Sequence, residues 1–147
     1  MKIAAILFVI ITSISMTCDS LKTNQESVTG FQYETYTRGS QYKIIITSNR
    51  TLVRQTGLNS FQQELNTPES KWNELMQLVK KVSLNDLSTY KPQSSGRSLD
   101  AAPHATLEVL TADKNYKSST FDHGNPPAEI ESLVKAILTL AETVEKQ

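Results

Sequence analysis

The sequence lacks most of the signals that announce a chemistry. Among its 147 residues there is a single cysteine, Cys18, which rules out a disulfide framework and a four-cysteine zinc site. Five glycines and five prolines are too few for a low-complexity or collagen-like chain. Charge of one sign is missing as well. Fifteen Lys plus Arg stand against fifteen Asp plus Glu, no block of like charges marks a phosphate-binding face, and nucleic acid is not expected as a partner. There is no Gly-x-Ser-x-Gly elbow, no phosphate-cradling glycine loop and no His-Glu-x-x-His pair. An enzymatic reading therefore starts from a deficit. What is present is a hydrophobic fraction of 38% in a length that suits one domain with one core.

The only long apolar run lies at the amino terminus. Met1 and Lys2 precede Ile3-Ala4-Ala5-Ile6-Leu7-Phe8-Val9-Ile10-Ile11, and the run thins through Thr12, Ser13 and Ile14. That order of charge, apolar stretch and small polar residues is the order of a secretory signal, and it falls short of the ~20 residues a membrane span needs. Residues 1–17 are therefore expected to be a signal peptide. Cys18 follows directly and resembles the cysteine of a bacterial lipoprotein signal, which becomes the lipidated amino terminus. Ser15-Met16-Thr17 departs from that pattern by lacking the usual Leu and the Ala or Gly, so cleavage beside Thr17 or Ser20 is the alternative. Residues 18–29 are polar and carry no apolar period, as a tether would, and residues 30–147 form the domain. These features lead to an expectation of an exported protein of the cell envelope, held to the membrane by lipid and partnered by another envelope protein.

Within the domain, period-two alternation predicts a first strand over Phe31 to Tyr36, a second around Tyr42, Ile44 and Ile46, and a third over 51–55. Phe61 and Leu65 mark an ambiguous fourth. Thr67-Pro68 is a helix start, with Thr67 expected as the cap and Pro68 at the first helical position, and Trp72, Leu75, Met76, Val79 and Val82 follow at helical spacing. A polar loop over 92–103 leads to a strand with Ala105, Leu107 and Val109 inward, a turn near Asp113-Lys114, and a return strand over 116–121. Asn125-Pro126-Pro127 then opens a helix whose stripe is Ile130, Leu133, Val134, Ile137, Leu140, Ala141 and Val144. The order β-β-β-(β)-α-β-β-α implies an α+β fold, a mostly antiparallel sheet with two helices packed on one face.

Two groups of residues are candidates for function. With the turn centred on Asp113-Lys114, His104 and His123 face each other across the second hairpin. Asp100 or Asp122 could then serve as an oxygen ligand of Zn²⁺ or a similar divalent metal, or as a partner to the imidazoles. The competing reading makes His123 and Asp122 turn-bracing residues and leaves the protein without a cofactor. The second group is Tyr33, Tyr36, Tyr42 and Tyr116, which could line an open sheet face as a recognition surface or simply be good strand formers.

The stretch Ser118-Ser119-Thr120-Phe121-Asp122-His123-Gly124-Asn125-Pro126-Pro127, with the 31–38 strand and Trp72-Asn73-Glu74-Leu75, resembles a group of exported proteins of Bacteroidota-type bacteria. The group has no assigned activity. The resemblance implies an envelope location and transfers no catalytic residue. A non-enzymatic binding module is thus the first expectation, and a metal-binding or small hydrolytic domain using the two histidines is the second.

Overall fold

The computed structural model describes residues 27–146, so the expected signal peptide, Cys18 with its expected lipidation, and most of the expected tether lie outside the described residues. The fold is α+β. Seven antiparallel strands form one sheet: β1 (Val28–Tyr36), β2 (Ser40–Thr47), β3 (Arg50–Gly57), β4 (Phe61–Asn66), β5 (His104–Thr111), β6 (Asn115–Lys117) and β7 (Phe121–Asp122). Their order across the sheet is β4-β3-β2-β1-β5-β6, with β7 continuing along the same edge of β5. The first strand begins earlier than its alternation predicted, because Val28 already pairs with Thr111.

Alternation sorts the side chains onto two faces. Phe31, Tyr33, Ile44, Ile46, Val53, Ala105, Leu107 and Val109 point to one side and are fully buried there. That side is covered by α1 (Glu69–Val79) and α2 (Glu131–Glu145). Leu133, Val134, Ile137, Leu140, Ala141 and Val144 form the buried stripe of α2, as their spacing requires. Helix α1 packs on α2, and its Trp72 meets Phe31 edge to face at 5.8 Å between ring centroids. Tyr42 donates to Glu145 Oε1 at 2.6 Å, tying β2 to the last turn of α2.

Among the described residues, no helix covers the other face. One row across it runs Glu64, Leu52, Ile45, Gln32, Glu108 and Lys117, and the next runs Gln62, Arg54, Lys43, Glu34 and Thr106. These rows carry three cations and three carboxylates around Leu52 and Ile45, and Lys43 pairs with Glu34 at 3.2 Å, so the charges on this face are balanced.

Three local expectations change. Thr67 does not cap α1. Its hydroxyl hydrogen-bonds that of Thr51 at 2.9 Å in a buried contact, and Pro68 is the cap residue, its carbonyl accepting the Lys71 and Trp72 amides. The return strand over 116–121 is broken in two. Ser118 Oγ accepts the Leu107 amide at 3.0 Å and its own amide donates to the Leu107 carbonyl at 2.8 Å, which puts one extra residue between β6 and β7. Finally, the second hairpin turns tightly at Ala112-Asp113, since Leu110 pairs with Asn115 and the Thr111 amide donates to the Lys114 carbonyl.

Candidate functional site

The tighter turn and the bulge together reset the register in which the histidines were expected to meet. His104 lies opposite Asp122, not His123. His104 is also paired with Tyr36 of β1, and their rings stack at 4.7 Å with 11° between planes. His123 instead reaches Tyr33, with Nδ1 and the phenol oxygen 2.9 Å apart. Tyr33 and Tyr36 are an odd number of residues apart on one strand and so project from opposite faces. The two imidazoles consequently sit on opposite sides of the sheet, and the expected shared metal site does not form. Among the described residues no group of three or more His, Cys, Asp or Glu is arranged to hold a metal ion.

Asp122 is committed to the loop beside it. Its carboxylate accepts Ser94 Oγ at 2.5 Å, the Gly96 amide at 2.6 Å, the Arg97 amide at 3.0 Å and the Arg97 guanidinium at 3.0 Å. The Ser94 hydroxyl, ahead of the Arg97 and Gly96 donors, holds the Asp122 carboxyl far below the ordinary carboxylate range, against the opposing effect of burial. Asp122 therefore stays ionised and organises residues 94–97 rather than transferring protons. The turn that follows Asp122 is held by its own set of contacts. Asn125 donates back to the Asp122 carbonyl at 2.8 Å, Gly124 supplies a positive φ of 83°, Gln93 binds the Pro126 carbonyl, and Pro127 starts the 3₁₀ turn Ala128–Ile130 that leads into α2. Burial lowers the pKa of His123, and burial likewise pushes the Tyr33 phenol well above its ordinary value, with the Gly124 backbone opposing it.

The tyrosines divide in a way the sequence did not reveal. Tyr33 and Tyr116 are buried, and Tyr42 lies on the helix-covered side, where it packs partly buried against the core. None of these three lines an open face, because each belongs to the set of alternate positions that points at α1 and α2. Only Tyr36 does so, with 45% of its surface exposed.

Tyr36 stands at the wall of an open cleft of about 710 Å³ at one end of the sheet. The β1–β2 turn brings Thr37, Arg38 and Gly39 to one side of it, and the chain entering β5 brings Asp100, Ala101, Ala102, Pro103 and His104 to the other. Arg38 Nη2 and Asp100 Oδ2 bridge the two sides at 2.6 Å. The β3–β4 turn packs behind the β1–β2 turn: Gly57, at φ 89°, sits so close to Gly39 that a Cβ would run into its carbonyl. Asp100 takes a left-handed backbone at φ 55° and closes the 3₁₀ turn Gly96–Leu99 that Asp122 holds from beneath. Leu99, just before it, is 83% exposed.

Two of the four residues expected as metal ligands, Asp100 and His104, thus line one cleft with Tyr36. Arg38 and Leu99 were not singled out in the sequence, and only their places in a turn and a polar loop hinted at them. The arrangement offers an aromatic pair, a donor fork and a carboxylate, the kinds of group that orient a bound ligand. The chain matches no protein-family model and no curated protein.

Proposed function

We propose that this protein is an exported, lipid-anchored binding module of a Bacteroidota-type cell envelope, and that the cleft bounded by Tyr36, Arg38, Asp100 and His104 is its recognition site. The observation that carries the reading is that this end of the sheet gathers side chains the fold does not use. The core is complete on the helix side, while among the described residues two of the three large exposed hydrophobics are Tyr36, which lines a concave site, and Leu99, which immediately precedes the lining residue Asp100 in the chain. Large apolar groups in water beside a polar rim mark contact sites more often than they serve stability. The amino-terminal pattern of residues 1–18 supports export and anchoring at Cys18, and the flat charge balance favours a neutral partner over a polyanion.

The test has two arms in the producing cells. The full chain is expected in the membrane fraction, and Cys18→Ser is expected to leave it; identical partitioning of the two would remove the anchor from the account. A photo-reactive residue at Leu99 is expected to form discrete envelope crosslinks, while one at Gln62, on the open face of β4, forms none. Equal labelling from both positions would contradict a recognition site at the cleft.

A further inference from the structure

Resting on that reading, we infer that the cleft is a saccharide-binding subsite, in which the Tyr36 ring packs against the C–H face of a sugar and the Arg38–Asp100 pair shares its hydroxyls. Three features of the site select this ligand class. First, the charges are paired. Among the described residues, Arg38 and Asp100 are the only Arg, Lys, Asp or Glu side chains that line the cleft, and they neutralise one another across 2.6 Å. A phosphate or carboxylate ligand would meet no uncompensated cation there, whereas a neutral polyol needs just such a neighbouring fork of N–H donors and carboxylate acceptor. Their side chains are 89% and 64% exposed, so the pair contributes little to stability and opens readily to admit hydroxyl groups.

Second, the aromatic surface is already fixed in place. Stacking on His104 at 4.7 Å and backbone pairing on both sides of Tyr36, with Gln41 and with His104, hold the phenol ring before any ligand arrives. A rigid aromatic face suits a ring with an apolar side and a polar rim. Third, the backbone is saturated. Because β1 is flanked by β2 and β5 from Gly30 to Tyr36, β1 presents no free ladder at the cleft for an extended peptide to join. The size is compatible as well: about 710 Å³ lies within the roughly 300–1,000 Å³ of small-ligand sites.

Asp122 has a positioning part in this site. By gripping the Gly96 and Arg97 amides it sets the turn that delivers Asp100, through the Asp100 amide to the Arg97 carbonyl and the Ala101 amide to the Gly96 carbonyl.

The experiment is an amide-resolved NMR titration of the chain beginning at Asp19 with chitotriose, maltotriose and cellotriose, each to ~10 mM, a range suited to weak single-site binding. Trialanine is the control. Saturable shifts from at least one saccharide, confined to the amides of residues 36–40 and 99–104, are expected. Tyr36→Ala should weaken that binding at least ~tenfold and Tyr36→Phe should restore it, since the ring face and not the hydroxyl carries the contact. The amide spectrum of each variant reports directly whether it is folded. No saturable shift from any of the three saccharides, shifts that survive Tyr36→Ala, or equal shifts from trialanine would each overturn the saccharide assignment. If crosslinks at Leu99 persist in cells under any of those results, the binding-module reading stands and only the ligand class falls.

Discussion

Asp122 and His123 are neighbours in sequence with opposite fates, and both respond to pH in ways that can be measured. The Asp122 carboxyl is depressed in the folded state, so its contribution is fully present above the unfolded carboxylate value of about 3.9 and disappears only as pH falls through the lower folded value. Asp122→Asn keeps the shape but turns an amide NH₂ toward donors that need an acceptor. It should lower Tm by on the order of 5–10 °C, by the same amount at every pH between about 5 and 8, with faster hydrogen exchange at Gly96 and Arg97. A pH-dependent penalty across that range would contradict an always-ionised Asp122. For His123, burial lowers the folded pKa below the unfolded value near 6.5, so the unfolded chain binds the proton more readily. Stability is then full above that value and falls as pH drops through it toward the folded pKa. Denaturant melts at successive pH values should show a shallower loss in acid for His123→Asn, whose uncharged side-chain amide can hydrogen-bond the Tyr33 hydroxyl in place of the imidazole, than for the native chain. At this scale little of the site was legible. Asp100, His104, Asp122 and His123 stood out as chemistry-bearing types, but their partners depended on a register that residue identity does not set.

Among the elements, legibility followed period and length. The α2 stripe could be read residue by residue because a long helix repeats its buried spacing several times. Ile137, fully buried at its centre, should cost about 2–5 kcal/mol when replaced by Ala, measured by urea unfolding; a loss below ~1 kcal/mol would mean that α2 is not the main cover of the sheet. Strands β1, β2, β3 and β5 were readable from alternation. Strand β4 was ambiguous because Gln63 occupies the inward position between Phe61 and Leu65 and blunts the period. The break between β6 and β7 was invisible, since it depends on Ser118 binding across to Leu107, a long-range contact that no local pattern encodes. That one-residue bulge, with a turn one position earlier than expected, is what separates the two histidines. Thr67 shows the same limit: its hydroxyl had two suitable uses, and tertiary packing against Thr51 prevailed over the cap.

At the scale of the molecule, the helices and the sheet share one continuous core, the charges of the open face are balanced, and two of the three large exposed hydrophobics among the described residues, Tyr36 and Leu99, belong to the end of β1 and the chain entering β5. Fold class followed from the order of periodic segments, whereas the cleft arises only when segments some sixty residues apart, at Arg38 and Asp100, come together. The central claim is that this end is maintained for recognition and not for folding, so its side chains should be dispensable to stability. The most direct measurement is the unfolding free energy of a Tyr36→Ala/Arg38→Ala/Leu99→Ser triple variant beside the native chain. Three exposed substitutions should keep it within ~1.5 kcal/mol of native. A loss above ~3 kcal/mol would show that these residues hold the fold together and would contradict a cleft kept for a ligand.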